Sequence, residues 1–185
     1  MDSSHQFVAF LRGINVGGNH KVPMEQLKIE MTKLGYKDVV TILNSGNVVF
    51  KAPIAKEHII ELAISSHLEK VFGFKIPTLI RSNEVISSLL LNDPFKGIAV
   101  TKDVRLYVSF LKDPAQTIIT LPHISADSSF KIISVEEKVV CSVLDLSLNS
   151  SPKAMDALEI LFGKNITTRN WNTVVKVMAV LEKAK

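Results

Sequence analysis

The chain has 185 residues, 46% hydrophobic and 22% charged, an ordinary balance for a folded protein with one sizeable core or two small packed halves. Twenty-two Lys and Arg against eighteen Asp and Glu give a net charge of +4, spread as ten against eight up to Asn92 and twelve against ten beyond it. That even spread argues against a dedicated DNA-binding domain. The lone Cys141 excludes an internal disulfide and a cysteine metal cluster, no run approaches the ~18 apolar residues of a membrane span, and "MDSSHQ" has no basic leader, so the expected compartment is the cytoplasm.

Taken in order, "FVAFLR" from Phe7 reads as a strand. "MEQLKIEMTKL" sets Met24, Leu27, Met31 and Leu34 at helical spacing, with Pro23 at its start and Gly35 just past its end. "DVVTIL" and "NVVFK" flank "NSG" as a tight hairpin. "AKEHIIELAISSHLEKVFG" is a long amphipathic helix closing at Gly73, and "KIPTLIR" a further strand. After a short helix from near Ser82 the order returns: the strand "VRLYVSFL", a short helix "PAQTIITL", the hairpin "FKIISVE"/"KVVCSVL", a helix "SPKAMDALEILFG" with Ser151 at its N-cap, the short strand "ITTR" and a last helix "NWNTVVKVMAVLEKA".

Two successive βαββαβ units predict an α+β protein of two ferredoxin-like halves packed together, residues 1–81 and 104–185, with a helical connector over 82–103 and an extra C-terminal helix. Strands such as "FVAFLR" are apolar on both faces, so the face away from the helices is covered as well, by the other half or by a second subunit. That reduces the case for an open RNA-reading sheet, and "NSGNVVFK" lacks the aromatic signature of one.

In such a unit the exit of the first strand and the tip of the following hairpin lie at one end of the sheet. That end gathers "RGINVGGNHK", with three of the chain's eight glycines, and "NSGN". Glycines permit positive φ and close approach to a ligand, and backbone N–H groups before a helix suit an anion. Arg12, Asn15, Gly17, Gly18, Lys21, Ser45 and Asn47 are the candidate residues, Arg12 offering a planar fork to phosphate or carboxylate. The alternative is structural: "GGN" and "NSG" serve turns, and Arg12 pairs with Glu25. Near the other terminus, "TTRNWNTVVK" adds Arg169, Asn170, Trp171 and Asn172. Asn170 suits an N-cap, and Trp171 either anchors the helix or offers a stacking wall.

Together "LRGINVGGN…KVPMEQLK…LGY…SGNVVF" and "TTRNWNTVVK" resemble a widespread bacterial family catalogued as domain of unknown function 1697, over nearly the whole chain. The resemblance implies a cytoplasmic protein of two ferredoxin-like subdomains, with no established activity, substrate or cofactor. "LNSSPKAM" departs from the family's basic Ser-Lys-type pattern, leaving Lys153 as the nearby basic residue.

The first expectation is a module binding a small anionic, phosphate-bearing ligand, with Arg12 and Arg169 holding the anion. Nucleic-acid binding through the same edge stands second and predicts steep salt dependence. An enzyme has less to rest on: there is no His–Asp, Cys–His or paired-carboxylate arrangement, no metal-ligand spacing and no cofactor motif. His20 reads as a solvated loop histidine, His58 and His67 are badly spaced for shared chemistry, and Cys141 alternates with valines as a core thiol. A structural or dimerising protein, monomer or homodimer, is the fourth reading. There the final helix buries Val174, Val177, Met178 and Leu181, on its own core rather than a partner's.

Overall fold

Fourteen elements follow one another in the computed structural model, which describes residues 4–53, 56–148 and 151–183. They begin with β1 (Ser4–Leu11), α1 (Met24–Lys33), β2 (Lys37–Ile42), β3 (Asn47–Pro53), α2 (Glu57–Phe72), β4 (Thr78–Ser82) and α3 (Asn83–Asn92). Then come β5 (Val104–Leu111), β6 (His123–Ile124), β7 (Phe130–Glu136), β8 (Val139–Asp145), α4 (Ser151–Phe162), β9 (Ile166–Asn170) and α5 (Trp171–Lys183). The result is an α+β fold with two antiparallel sheets, ordered β2-β3-β1-β4 and β6-β7-β8-β5-β9. The chain divides into two compact units, Met1–Ser88 with Val175–Lys185, and Leu89–Val174. The expected cap at Ser151 rests on a side chain outside the described ones.

In the first unit β1 is central, pairing antiparallel with β3 on one side and β4 on the other. Phe7, Ala9 and Leu11 share one core with Val48, Phe50 and Ile80 of the sheet and Leu27, Met31, Ile60, Ile64 and Leu68 of the two helices. Val8, Phe10, Val49 and Leu79, on the opposite face, are buried as well, as the doubly apolar strands predict. Helix ends follow their sequence signals: α1 starts behind Pro23, and Gly35 and Gly73 adopt the positive φ that ends α1 and α2. Val177, Met178 and Leu181 of α5 are buried in this unit, where Gln6 Nε2 donates to Leu181 O at 3.1 Å and Ser87 Oγ to Met178 Sδ at 3.7 Å.

A charge lies under that surface. Glu30, on the inner side of α1 and only 3% exposed, accepts Lys33 Nζ at 2.8 Å and Gln26 Nε2 at 2.6 Å on one oxygen and meets His67 Nε2 of α2 at 2.8 Å on the other. The Lys33 hydrogen bond, then that of His67, hold its carboxyl below the usual glutamate range against the opposing effect of burial. A lowered folded-state pKa means the stabilisation is complete above the ordinary glutamate value of 4.5 and drains away as pH falls through the lowered one. Melting temperatures of wild type and Glu30→Gln should therefore converge below about pH 4.5 and separate above it. Parallel curves from pH 2.5 to 7 would show that Glu30 carries no such linkage.

The second unit departs from expectation between Pro114 and Leu121, where the predicted helix "PAQTIITL" is irregular, non-helical backbone. The cause is local. Thr117, Ile118, Ile119 and Thr120 are consecutive β-branched residues, which resist helix, and Pro122 follows. The segment is tied outward instead: Ala115 N donates to Glu137 O at 2.8 Å and Thr117 Oγ1 to Leu161 O at 2.7 Å. It leads into β6, which pairs with β7 and makes this sheet five-stranded. Leu111, Phe130, Ile132, Val140, Leu144, Leu158 and Ile166 form the core. Cys141 is buried in β8, and burial pushes its thiol up to about 11, which leaves it unreactive at neutral pH.

Candidate functional site

Register fixes which loops meet. Phe10 pairs with Asn47 and Leu11 with Thr78, so β1 ends where β3 and β4 begin. Three loops therefore share one end of the first sheet: 12–23, 43–46 and 73–77. Leu11 N donates to Gly46 O and Arg12 N to Pro77 O, each at 2.8 Å, which ties the first loop to the other two.

Asn15 is the clasp of this assembly. Its Nδ2 donates to Asn44 O at 2.8 Å and to Val22 O at 3.0 Å, while its Oδ1 accepts Val22 N at 2.8 Å. Asn15 N donates to His20 O and Asn19 N to Val16 O, so residues 15–20 make a miniature hairpin. Gly17 and Gly18 are its two central residues, at φ 60° and 80°, the conformation a type I′ turn demands. Asn47 is wholly buried and donates to Ile42 O and Ser45 Oγ. Asn15 and Asn47 thus hold the loops in place, while Ser45 and Lys21 are exposed and Arg12 half-buried.

His20 is not merely solvated. Its ring stacks on Phe74 with centroids 4.5 Å apart and planes 24° from parallel, and Nδ1 lies 3.3 Å from Gly13 O. Phe74 is half-buried against the core, and Lys75 beside it is exposed. Sequence reasoning missed this pair although topology implied it, since the loop entering β4 must lie where β1 ends.

The other candidate residues belong to the second unit. Arg169 Nη1 donates to Thr167 Oγ1 at 2.8 Å and to Thr168 O at 3.0 Å, and burial draws its pKa down to about 10, leaving it cationic at neutral pH. Asn170 caps α5 as expected, its Oδ1 accepting Asn172 N at 3.0 Å. Trp171 meets buried Phe95 edge-on at 5.1 Å, and Asn172 is exposed.

In the same unit, a groove of about 350 Å³ opens where β5 ends and β9 begins, between residues 111–117 and 161–165. Lys112, Asp113 and Lys164 give it both signs of charge. Among the described residues no three His, Cys, Asp or Glu converge as a metal ion would require, and no helix is long and apolar enough to cross a membrane.

No curated protein is significantly similar to the sequence. In structure the chain is similar to a protein from Streptococcus pneumoniae described as conserved bacterial protein SP0830, with a TM-score of 0.66 and 22% identity over 96% of this chain and 99% of that one. At that identity the likeness concerns the fold. Residues 5–139, nearly three quarters of the sequence and including the whole "LRGINVGGN" loop, match the family described as protein of unknown function DUF1697, and the chain belongs to that family.

Proposed function

We propose that the protein is a cytoplasmic binding module for a small anionic, phosphate-bearing ligand, seated where the 12–23, 43–46 and 73–77 loops meet. The observation that carries this reading is the charge of those loops, which hold Arg12, Lys21 and Lys75 and no Asp or Glu. α1 starts from the same end behind Pro23, which makes no side-chain cap, and its first turn sets the carboxylate of Glu25 against the positive potential of its first backbone N–H groups. In this reading Arg12 grips the anion, Lys21 adds charge, Ser45 offers a hydroxyl, and backbone around Gly17 and Gly18 lines the seat. Asn15 and Asn47 are scaffold.

Descent from two ferredoxin-like halves, 1–81 and 104–185 around an 82–103 connector, has the strand order of the first sheet for it and the absent helix at 114–121 against it. The cytoplasm suits a lone, buried cysteine. Nucleic acid, offered the same cationic loops, is the second ligand class, and the protein acts as monomer or homodimer.

A thermal-shift series tests the reading, with phosphate, sulfate, sugar phosphates, nucleotides and short oligonucleotides at low and high salt. A ligand at one hundred times its Kd stabilises the fold by about 2.7 kcal/mol, roughly 5–11 °C for a chain of this size. Arg12→Ala should lose that shift. A shift retained in full by the variant, or none with any anion, removes the seat from this end of the sheet. Stabilisation by oligonucleotides alone, falling steeply with salt, transfers it to nucleic acid.

A further inference from the structure

We infer that the anion is the phosphate of a free nucleoside monophosphate, whose base stacks on the exposed face of the His20 ring; this rests on the anion reading of the same loops. Three cations stand beside the stacked pair, two along the chain and one through Gly13. His20 precedes Lys21, Phe74 precedes Lys75, and Gly13, whose carbonyl lies 3.3 Å from the His20 ring, follows Arg12. Arg12 N is bonded to Pro77 O, so the strand exit and the Phe74 loop are fastened to each other.

One ring face of His20 is occupied by Phe74, itself seated on the core, and the residue is exposed. An exposed ring held in one orientation by a half-buried partner packed on the core is what a stacking platform requires, because little side-chain freedom is lost when a base settles on it. A sugar phosphate would satisfy the cations and leave this platform unused. A nucleoside monophosphate satisfies both, its base on the ring and its phosphate toward the Arg12, Lys21 and Lys75 side. Trp171 is not required for this platform, since its ring is already engaged edge-on with Phe95.

The test is calorimetric titration of the full chain with inorganic phosphate, ribose 5-phosphate, AMP, UMP and a single-stranded hexanucleotide. Wild type should bind AMP at least about tenfold tighter than ribose 5-phosphate, the scale of one base–aromatic stack. His20→Asn, which accepts the residue's positive φ of 49°, should bind both equally, and His20→Phe should keep the margin. Unchanged binding of ribose 5-phosphate by both variants shows that the loop is intact. Equal binding of AMP and ribose 5-phosphate by wild type overturns the inference and leaves the anion reading standing. A margin that survives His20→Asn also overturns it, by placing the base elsewhere. Binding of the hexanucleotide without the mononucleotides overturns it in favour of nucleic acid, and silence from every compound overturns both readings.

Discussion

Gly46→Ala should lower stability by about 2–5 kcal/mol, while Gly17→Ala, in the same loop cluster, should cost only about 1–2. Both glycines have positive φ, 74° and 60°, so both substitutions force an L-residue into the left-handed region at a similar backbone cost. Space separates them. A Cβ on Gly17 meets nothing within 4 Å, whereas one on Gly46 falls 2.7 Å from Leu11 Cβ and 2.7 Å from Ile14 Cδ1. Leu11 and Ile14 are buried, at 1% and 3% exposure, and Leu11 N is bonded to Gly46 O, so neither side can retreat without breaking the join between β1 and the 43–46 loop. Urea denaturation with an unchanged slope would report the difference as stability. Equal losses at the two positions would mean that the packing against Leu11 and Ile14 is soft.

Those two glycines also mark how far the sequence could be read. Alternation of apolar residues located the strands, and the order strand–helix–hairpin–helix–strand was enough to bring the 12–23 and 43–46 loops to one end of a sheet before any contact was known. Topology brings the 73–77 loop to that end too, but not the contact made across it. Phe74 lies 54 positions from His20, and nothing in either residue's neighbours signals that the two rings stack. Glu30 was invisible for another reason: Met24, Leu27, Met31 and Leu34 define an apolar stripe without it, yet it shares that stripe's face and is buried only because Lys33, Gln26 and His67 converge on its oxygens. The misread helix at 114–121 was a contest between signals. Pro114 suits a first helical position, but four β-branched residues in succession outweigh it, and Glu137 O and Leu161 O supply the partners that tie the segment down. The paired faces of the strands were legible in outline, since "FVAFLR" has no polar face to give to water.

Asn15→Ala should prove nearly as damaging as the change at Gly46, about 2–4 kcal/mol, although the residue is exposed. Three hydrogen bonds end on its amide, each worth about 0.5–1.5 kcal/mol, and they join Val22 at the approach to α1 with Asn44 in the neighbouring hairpin. The residue also sits at φ 57°, which asparagine tolerates and alanine does not. Asn15→Gly removes the hydrogen bonds without the backbone strain, so it should recover roughly 1–2 kcal/mol of the loss. Asn15→Asp keeps the acceptor for Val22 N but turns a second carboxylate oxygen toward Val22 O and Asn44 O, where a donor stood, and should fall below Asn15→Gly. That order, Gly above Ala and Asp, separates a clasp from a ligand contact. If Asn15 served mainly to touch a bound anion, all three variants would melt close to wild type in the absence of ligand and differ only in binding. If it is the clasp, stability falls first and anion affinity falls with it, because Arg12 and Lys21 are carried on the segments that Asn15 holds together.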